Sequence, residues 1–308
     1  MLDILGKRYI FIGLSLVLII PGLIMLAVGL PLAIDFTGGS LLEVRFESGI
    51  APQPADVIQL YGSLGVEDVQ VQTTGDATIF ARSSFLDDTT RSSLISAMEE
   101  EFSTNITILR FDSVGPTIGQ EVTARAGMAI AVAAIAVVLY ITFAFRGIQN
   151  SLRYGICAII AMIHDVLIVL SLGALGAYFF GWQIDALFLT ALLTVIGFSV
   201  QDKIVVFDRI RENSGIYRRL PFETLVNHSI VQTLQRSINT QLMTVEFMLL
   251  ALALFGGVTL REFAVILLVG LFSGTYSSIF IAAPSLVIWE KQEWKTWFRP
   301  RRGKEAAA

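Results

Sequence analysis

Residues 9–34 read YIFIGLSLVLIIPGLIMLAVGLPLAI, a run of 26 residues without a charged side chain. A helix needs about 20 apolar residues to cross a bilayer, so this run predicts a transmembrane helix. Lys7 and Arg8 precede it, as basic residues precede the apolar core of a signal peptide. That core is only about 7–15 residues long, and no small-residue cleavage site follows here. We therefore expect a retained membrane helix.

Five further stretches continue the apolar pattern. They lie at 126–145, 155–179, 184–206, 232–256 and 263–289. Together with residues 9–31 they predict six transmembrane helices. The composition agrees, because 54% of the residues are hydrophobic and only 16% are charged. One cysteine, Cys157, and two histidines, His164 and His228, argue against a disulfide framework or a His/Cys metal site, and no cofactor is expected.

The basic residues predict how the helices are oriented, since loops rich in lysine and arginine face the cytoplasm. With six crossings, all the basic clusters fall on one side of the membrane. These clusters lie at 7–8, 146–153, 209–219 and 291–304. Both termini are then cytoplasmic and residues 35–122 are external. This external segment has four basic and 14 acidic residues, a net charge of −10, which argues against binding of nucleic acid.

The external segment predicts a small α+β domain. Strands are favoured at 41–46, 69–71, 78–80 and 106–111, and helices at 52–64 and 87–102. This β-α-β-β-α-β order is that of the ferredoxin-like split βαβ fold. The expected fold class is an all-α six-helix transmembrane bundle with a small external α+β ferredoxin-like domain. Its parts are 1–34 (N-terminus and first helix), 35–122 (external domain), 123–290 (helices two to six) and 291–308 (cytoplasmic basic tail).

Ionisable residues inside the predicted helices are candidates for binding an ion. Such a residue costs at least about 2.5 kcal/mol in the hydrocarbon, so it faces protein or water and has a partner. Asp165, near the middle of the third helix, either pairs within the bundle or takes part in ion transfer. Asp202 and Arg236 lie at comparable depth on the fourth and fifth helices. We hypothesise that Asp202 binds the proton while Arg236 tunes and gates it; a structural salt bridge is the alternative.

Other polar residues in the helices have simpler predicted roles. Lys203 lies near the inner end of its helix, where a lysine side chain reaches outward to water. His164 points about 100° away from Asp165 on a helix, so the two are not expected to share a face, and His164 is predicted to be a packed core residue. Asp185, at the outer end of the fourth helix, is predicted to be an interfacial residue in contact with water.

The predicted fifth helix carries a polar stripe. Arg236, Thr240 and Thr244 follow an i, i+4, i+8 spacing, and Gln241 and Glu246 lie beside them. The stripe either hydrates a path for ions or bonds one helix to another, as polar side chains do in bilayers. Both roles are compatible with the spacing.

Several short motifs lie at fixed places relative to the predicted helices. IDFTGG follows the first helix at 34–39, and His164-Asp165-Val166 lies in the third. VIGFSVQD, residues 195–202, continues into VVFDRIREN at 205–213, and QTLQRS opens the fifth helix at 232–237. Together they resemble the SecF family of protein-export membrane proteins, which is related to the resistance-nodulation-division transporters. The resemblance covers nearly the whole chain.

The resemblance implies a task and a set of partners. Members of this family act with SecD, and often YajC, beside the SecYEG channel, and they use the proton motive force, or sodium in some lineages, to drive late steps in the export of unfolded polypeptides. It implies a multi-pass protein of a bacterial or archaeal inner membrane, and it points to Asp202 and Arg236 as the coupling pair. The sequence departs from the family pattern at Lys203, where many members have a small polar residue. A pairing of Lys203 with Asp202 would weaken the binding of a proton there.

The motif Asp35-Phe36-Thr37-Gly38-Gly39 is not a phosphate-binding loop. It follows a transmembrane helix instead of a strand, and it lacks the lysine that such loops use. Its glycines are expected to allow a tight exit from the membrane into the external domain.

Two other kinds of function compete with ion-driven protein export as explanations of the sequence. The alternative is a subunit of an ion-driven small-molecule or lipid exporter, but such exporters carry twelve helices and two large external loops in one chain. An enzyme is not expected, since the sequence has no Ser/His dyad, paired-aspartate protease motif or cofactor motif.

Amphipathic residues 207–219 and the aromatic, basic tail predict contact with membrane lipid.

Overall fold

The computed structural model describes residues 3–74, 76–146, 151–241, 247–255 and 258–297. The described chain divides into two units. The α+β unit comprises Pro31–Ala129 and Gln183–Ala186, and the helical unit comprises the other described residues.

Helices and strands are mixed in the described residues up to Val114, and the described residues after it form helices and their connections. In chain order they are α1 (Arg8–Val28), α2 (Ile34–Thr37), β1 (Gly39–Phe46), α3 (Pro54–Ser63), β2 (Gln70–Thr74), β3 (Thr78–Ser83), α4 (Asp88–Glu101), β4 (Ile106–Val114), α5 (Pro116–Ala144), α6 (Ser151–Phe180), α7 (Ala186–Ile216), α8 (Phe222–Gln241), α9 (Phe247–Phe255), α10 (Val258–Ser277), α11 (Ala283–Lys291) and α12 (Trp294–Trp297). A 3₁₀ turn, Leu5–Lys7, precedes α1, and a π-helical turn, Ser278–Ala282, joins α10 to α11.

The α+β unit is built on an antiparallel sheet with strand order β2-β3-β1-β4. The predicted order of strands and helices is observed, with strand and helix ends shifted by a few residues. The first four residues of β1 are all buried, and Leu42, Val44 and Phe46 share a core with α3 and α4. Asp87 caps α4, because its Oδ1 accepts a hydrogen bond from the Thr90 backbone N–H at 2.8 Å.

Five helical segments of the described chain are long and apolar enough to cross a membrane. They are Leu5–Val28, Pro116–Ala144, Ser151–Phe180, Ala186–Ile216 and Leu260–Lys291. Each overlaps one of the six predicted helices. The remaining predicted segment, 232–256, falls on the end of α8, on residues 242–246, which lie outside the described chain, and on α9. A count of six therefore stays a prediction.

Glycines bring the central helices of the helical unit close together. A Cβ on Gly22 of α1 would lie 2.6 Å from the Leu167 carbonyl oxygen of α6, and the Gly22 N–H donates to Ser171 Oγ at 2.8 Å. A Cβ on Gly270 of α10 would lie 2.3 Å from a methyl carbon of Val195 on α7. Small residues thus set the helix spacing, as is common in membranes.

An ionic cluster connects three helices of this unit. Arg8 donates to Glu223 Oε1 at 2.5 Å and to Glu293 Oε1 at 2.6 Å, and Lys291 donates to the second oxygen of Glu223. Asn227 Oδ1 accepts from the backbone N–H of Leu5 at 3.2 Å, which caps the turn before α1. These contacts join α1, α8 and α11.

We expect Glu223→Gln to lower the free energy of unfolding at pH 7 by about 0.5–1 kcal/mol, since partly exposed ion pairs are weak. The hydrogen bond from Lys291, and then that from Arg8, hold the pKa of Glu223 below its ordinary value of 4.5. The stabilisation is therefore present above that value and is lost as the pH falls through the lower folded-state pKa. Thermal unfolding in detergent at pH 7 and at acid pH checks this. Glu212→Gln, in an exposed pair with Arg209, is the control; an equal effect of both variants at pH 7 would contradict the prediction.

Candidate functional site

Asp165 forms the centre of a buried polar site in the helical unit. Its side chain has no exposed surface and lies midway along α6. Five donors surround the carboxylate. They are His164 Nδ1 at 3.1 Å and Ser273 Oγ at 2.8 Å on Oδ1, and Lys203 Nζ at 2.8 Å, Ser277 Oγ at 2.7 Å and Ser199 Oγ on Oδ2. So many donors, one of them an ammonium group, stabilise an ionised carboxylate.

Lys203 is the positive partner of this carboxylate. It is fully buried and also donates to the carbonyl oxygen of Ser199 at 3.2 Å and to the Ser199 hydroxyl. Ser199 and Lys203 are four residues apart on α7, so both reach Asp165 from the same face of the helix. A buried ion pair carries a large desolvation cost, which good hydrogen-bonding geometry offsets.

Two serines of α10 complete the site. Ser273 and Ser277 are also four residues apart and face Asp165 together. Gly274 lies between them, and a Cβ there would be 3.1 Å from the Cα of Ser199. The glycine thus permits the close approach of α10 to α7 that places both hydroxyl groups within reach.

Asp202 lies next to Lys203 in sequence but has a different partner. Its Oδ2 accepts a hydrogen bond from Thr275 Oγ1 at 2.9 Å, and the residue is 7% exposed. Two carboxylates and one ammonium group are therefore buried among α6, α7 and α10. With both carboxylates ionised and His164 neutral, the group carries a net charge of −1.

Three expectations from the sequence are wrong at this site. Lys203 does not reach outward to water and does not pair with Asp202; it pairs with Asp165, because its face of α7 packs against α6. His164 and Asp165 do touch, since the long imidazole side chain bends back to the neighbouring carboxylate. His164 is, as predicted, a buried, hydrogen-bonded core residue.

The structure does not bring the hypothesised partners Asp202 and Arg236 together. Arg236 and Thr240 are exposed on α8, and among the described residues neither has a hydrogen-bond or ion-pair partner. Gln241 ends α8, while Thr244 and Glu246 lie outside the described residues. Asp185 directly precedes α7 and is half-buried in the α+β unit.

The motif at residues 35–39 belongs to the α+β unit. Asp35 Oδ2 accepts a hydrogen bond from the backbone N–H of Ala186, the first residue of α7, at 2.9 Å. Phe36 is buried, and the Thr37 hydroxyl donates to the Ala33 carbonyl oxygen at 3.2 Å. Gly38 and Gly39 have φ angles of +75° and +122°, which favour glycine strongly.

Within the described residues, no group of three or more His, Cys, Asp or Glu side chains is placed to hold a metal ion. The ionisable groups of the buried site are two carboxylates, Asp165 and Asp202, and the ammonium group of Lys203. Buried ionisable groups within long apolar helices are typical of membrane transport proteins.

Comparison with known proteins defines the family. The family model described as protein export membrane protein SecD/SecF, C-terminal, matches residues 94–292, and the model for the SecD/SecF GG motif matches residues 24–50. The chain belongs to the SecF family of protein translocase subunits, and it is a component of protein transport.

Individual relatives agree with this assignment. Protein translocase subunit SecF of Anaerolinea thermophila is 68% identical over 309 residues, which cover all of both chains. Protein translocase subunit SecDF of Thermus thermophilus is 35% identical over 290 residues, which cover 92% of this chain and 38% of that protein. A crystal structure of SecDF from Thermus thermophilus, described as a translocon-associated membrane protein, matches with a TM-score of 0.79 and 33% identity over 94% of this chain and 39% of that one.

Proposed function

We propose that this translocase subunit couples an ion gradient across the membrane to protein export. The observation that carries the proposal is the burial of two carboxylates, Asp165 and Asp202, in a bundle of apolar helices, with Lys203 paired to Asp165. Burying a charged side chain among apolar helices costs free energy, and such side chains commonly mark the pathway of an ion.

The pairing gives the two carboxylates different roles. Lys203 neutralises Asp165, and the three serine hydroxyls satisfy the remaining acceptor capacity of that carboxylate. Asp202 has only the Thr275 hydroxyl as a described hydrogen-bond partner. Binding of a proton, or of a sodium ion, at Asp202 changes the net charge of the buried group from −1 to zero. Asp202 is therefore the ion-binding group in this proposal, and Asp165 with Lys203 sets the charge around it.

Arg236 remains the proposed gating residue, supported by the sequence motif at 232–237. Because α8 presents Arg236 away from the described residues, gating requires that Arg236 approach Asp202 in another state of the assembly. Thr240, Gln241, Thr244 and Glu246 are the proposed supporting residues of the ion path, on their spacing in the sequence.

The remaining proposals concern the assembly. We place six helices in an inner membrane, both termini in the cytoplasm and the α+β domain outside, on the distribution of basic residues. The β-α-β-β-α-β order and the strand order β2-β3-β1-β4 support a ferredoxin-like class for that domain. SecD, SecYEG and YajC are the proposed partners and unfolded polypeptides the cargo. The longer Thermus SecDF, of which this chain covers 38%, supports the pairing with SecD.

The test is Asp202→Asn, which keeps the side-chain shape and removes the charge. We expect export into vesicles to lose the part of its rate that depends on the ion gradient, while the part that does not depend on the gradient remains. The measurement compares export by the reconstituted translocase with and without the gradient. Asp208→Asn is the matched control, because Asp208 lies on the same helix, is 55% exposed and pairs with Arg211. A full response to the gradient in Asp202→Asn, at normal protein levels, would remove Asp202 from the mechanism.

A further inference from the structure

The motif at residues 35–39 joins the starts of two long helices to the sheet of the α+β unit. Asp35 holds the first residue of α7 through the backbone N–H of Ala186. The Phe36 carbonyl oxygen accepts from the Thr123 hydroxyl of α5 at 2.9 Å. All of these residues belong to the α+β unit. The motif is thus a junction as well as a turn.

The glycines of the motif allow the backbones of α5 and β3 to pack closely against it. A Cβ on Gly38 would lie 2.8 Å from the Cα of Pro116, the first residue of α5. A Cβ on Gly39 would lie 2.7 Å from the carbonyl oxygen of Ser83 at the end of β3. On the α5 side, a Cβ on Gly119 would lie 2.6 Å from the backbone nitrogen of Gly38.

The segment before α7 is fixed by a second set of contacts. Leu32 and Ile184 form a parallel β-bridge, and Ala33 N donates to the Ile184 carbonyl oxygen at 2.8 Å. Arg82 of β3 donates to the Leu32 carbonyl oxygen at 3.4 Å and to the Gln183 side chain. Burial lowers the pKa of Arg82, and the nearby Asp35 carboxylate opposes that shift. The residues before α7 are therefore held by the sheet and by the motif together.

The helix that begins at this junction also carries the buried site. α7 runs as one helix from Ala186 to Ile216 and bears Ser199, Asp202 and Lys203. At 1.5 Å per residue, Ala186 and Asp202 are about 24 Å apart along the helix axis. One continuous helix therefore contains both Ala186 and the side chains of the buried site.

We infer that Asp35 is a positioning residue that fixes the start of α7 to the α+β domain, so that movement of this domain and the charge state of the buried site are coupled. This inference rests on the proposed function. Asp35 touches neither the ion nor the buried carboxylates; it acts through the backbone of Ala186. Its negative charge also favours the amino-terminal end of the helix dipole.

The first test does not depend on export. In Asp35→Ala, amide hydrogen exchange in the first turn of α7 should rise about 2- to 30-fold, the range that loss of a helix cap produces. Asp35→Asn should show a smaller rise, because the amide oxygen still accepts from Ala186. Asp56→Ala, at an exposed position of α3, is the matched control. Unchanged exchange in Asp35→Ala would overturn the assignment.

The second test separates coupling from ion binding. Ion uptake into proteoliposomes, followed with a pH-sensitive dye, should persist in Asp35→Ala, whereas gradient-driven export should fall to the rate measured without a gradient. Asp202→Asn should lose both. If wild type shows no gradient-driven export, the proposed function fails, while the exchange result still tests the contact. If Asp35→Ala loses ion uptake as completely as Asp202→Asn, Asp35 belongs to the ion path and the inference is overturned.

A rescue variant completes the test. Leu32→Cys with Ile184→Cys, placed in the Asp35→Ala background, puts two thiols at neighbouring positions of the β-bridge, where a disulfide can form. Oxidation should restore gradient-driven export and reduction should abolish it again. Cys157, the single cysteine of the sequence, is buried. If the disulfide forms and gradient-driven export is not restored, Asp35 does not act by fixing the start of α7.

Discussion

Lys203→Met should destabilise the helical unit by about 3–5 kcal/mol, because it leaves the Asp165 carboxylate buried without its positive partner. Methionine is similar in length to lysine and apolar, so the loss reports the charge more than the packing. Equilibrium unfolding in mixed detergent micelles gives the free energy. Lys7→Met is the matched control, since Lys7 is exposed before α1 and is expected to change stability by no more than about 0.5 kcal/mol.

The double variant Asp165→Asn with Lys203→Met tests the cause of that loss. Removing both charges leaves a neutral site in which the serine hydroxyls still have an amide to bond. We expect most of the stability lost in the single variant to return, with a coupling energy of about 2–3 kcal/mol in the double-mutant cycle. Additive losses would mean that the two side chains stabilise the bundle independently, contrary to the contact at 2.8 Å.

Gly39→Ala should lower the free energy of unfolding of the α+β domain by at least about 2 kcal/mol. A non-glycine residue at its φ of +122° is strained, which costs about 1–3 kcal/mol. The new Cβ would also lie 2.7 Å from the Ser83 carbonyl oxygen, so the backbone of β3 must shift. Hydrogen exchange in β1 and β3 of the full-length chain measures the effect.

Gly49→Ala separates the two causes. Gly49 has a φ of +77°, but a Cβ there would meet no atom within 4 Å. Its substitution should therefore carry only the cost of backbone strain, about 1 kcal/mol. Equal losses in the free energy of unfolding for Gly39→Ala and Gly49→Ala would show that close packing of the motif against β3 does not contribute to stability.

The sequence was most informative where structure is local. The order of strands and helices in the α+β unit follows from short periodic runs of apolar and polar residues. The five described membrane helices follow from length and hydropathy, which depend on neighbouring residues alone. These features need no knowledge of what packs against them.

The sequence was least informative where contacts join separate helices. The i, i+4 spacing of Ser273 and Ser277 on α10 is visible in the sequence, but nothing in it shows that this face meets Asp165. Lys203 was placed wrongly because a lysine near a helix end ordinarily reaches water, and only the packing of α7 against α6 reverses that preference. The role of Asp35 depends on a contact with Ala186, 151 residues away in sequence.

The length of α7 has a practical consequence. Its 31 residues measure about 46 Å, and the hydrocarbon core of a bilayer is only about 30 Å thick. Charged residues occupy its last turns, with Asp208, Arg209 and Arg211 all on the carboxyl side of the buried carboxylate. The last turns of α7 are therefore an exposed part of the same helix that carries Asp202. A fluorophore attached at Asp208 or Arg211, both exposed, would label the helix that carries Asp202 without occupying the buried site.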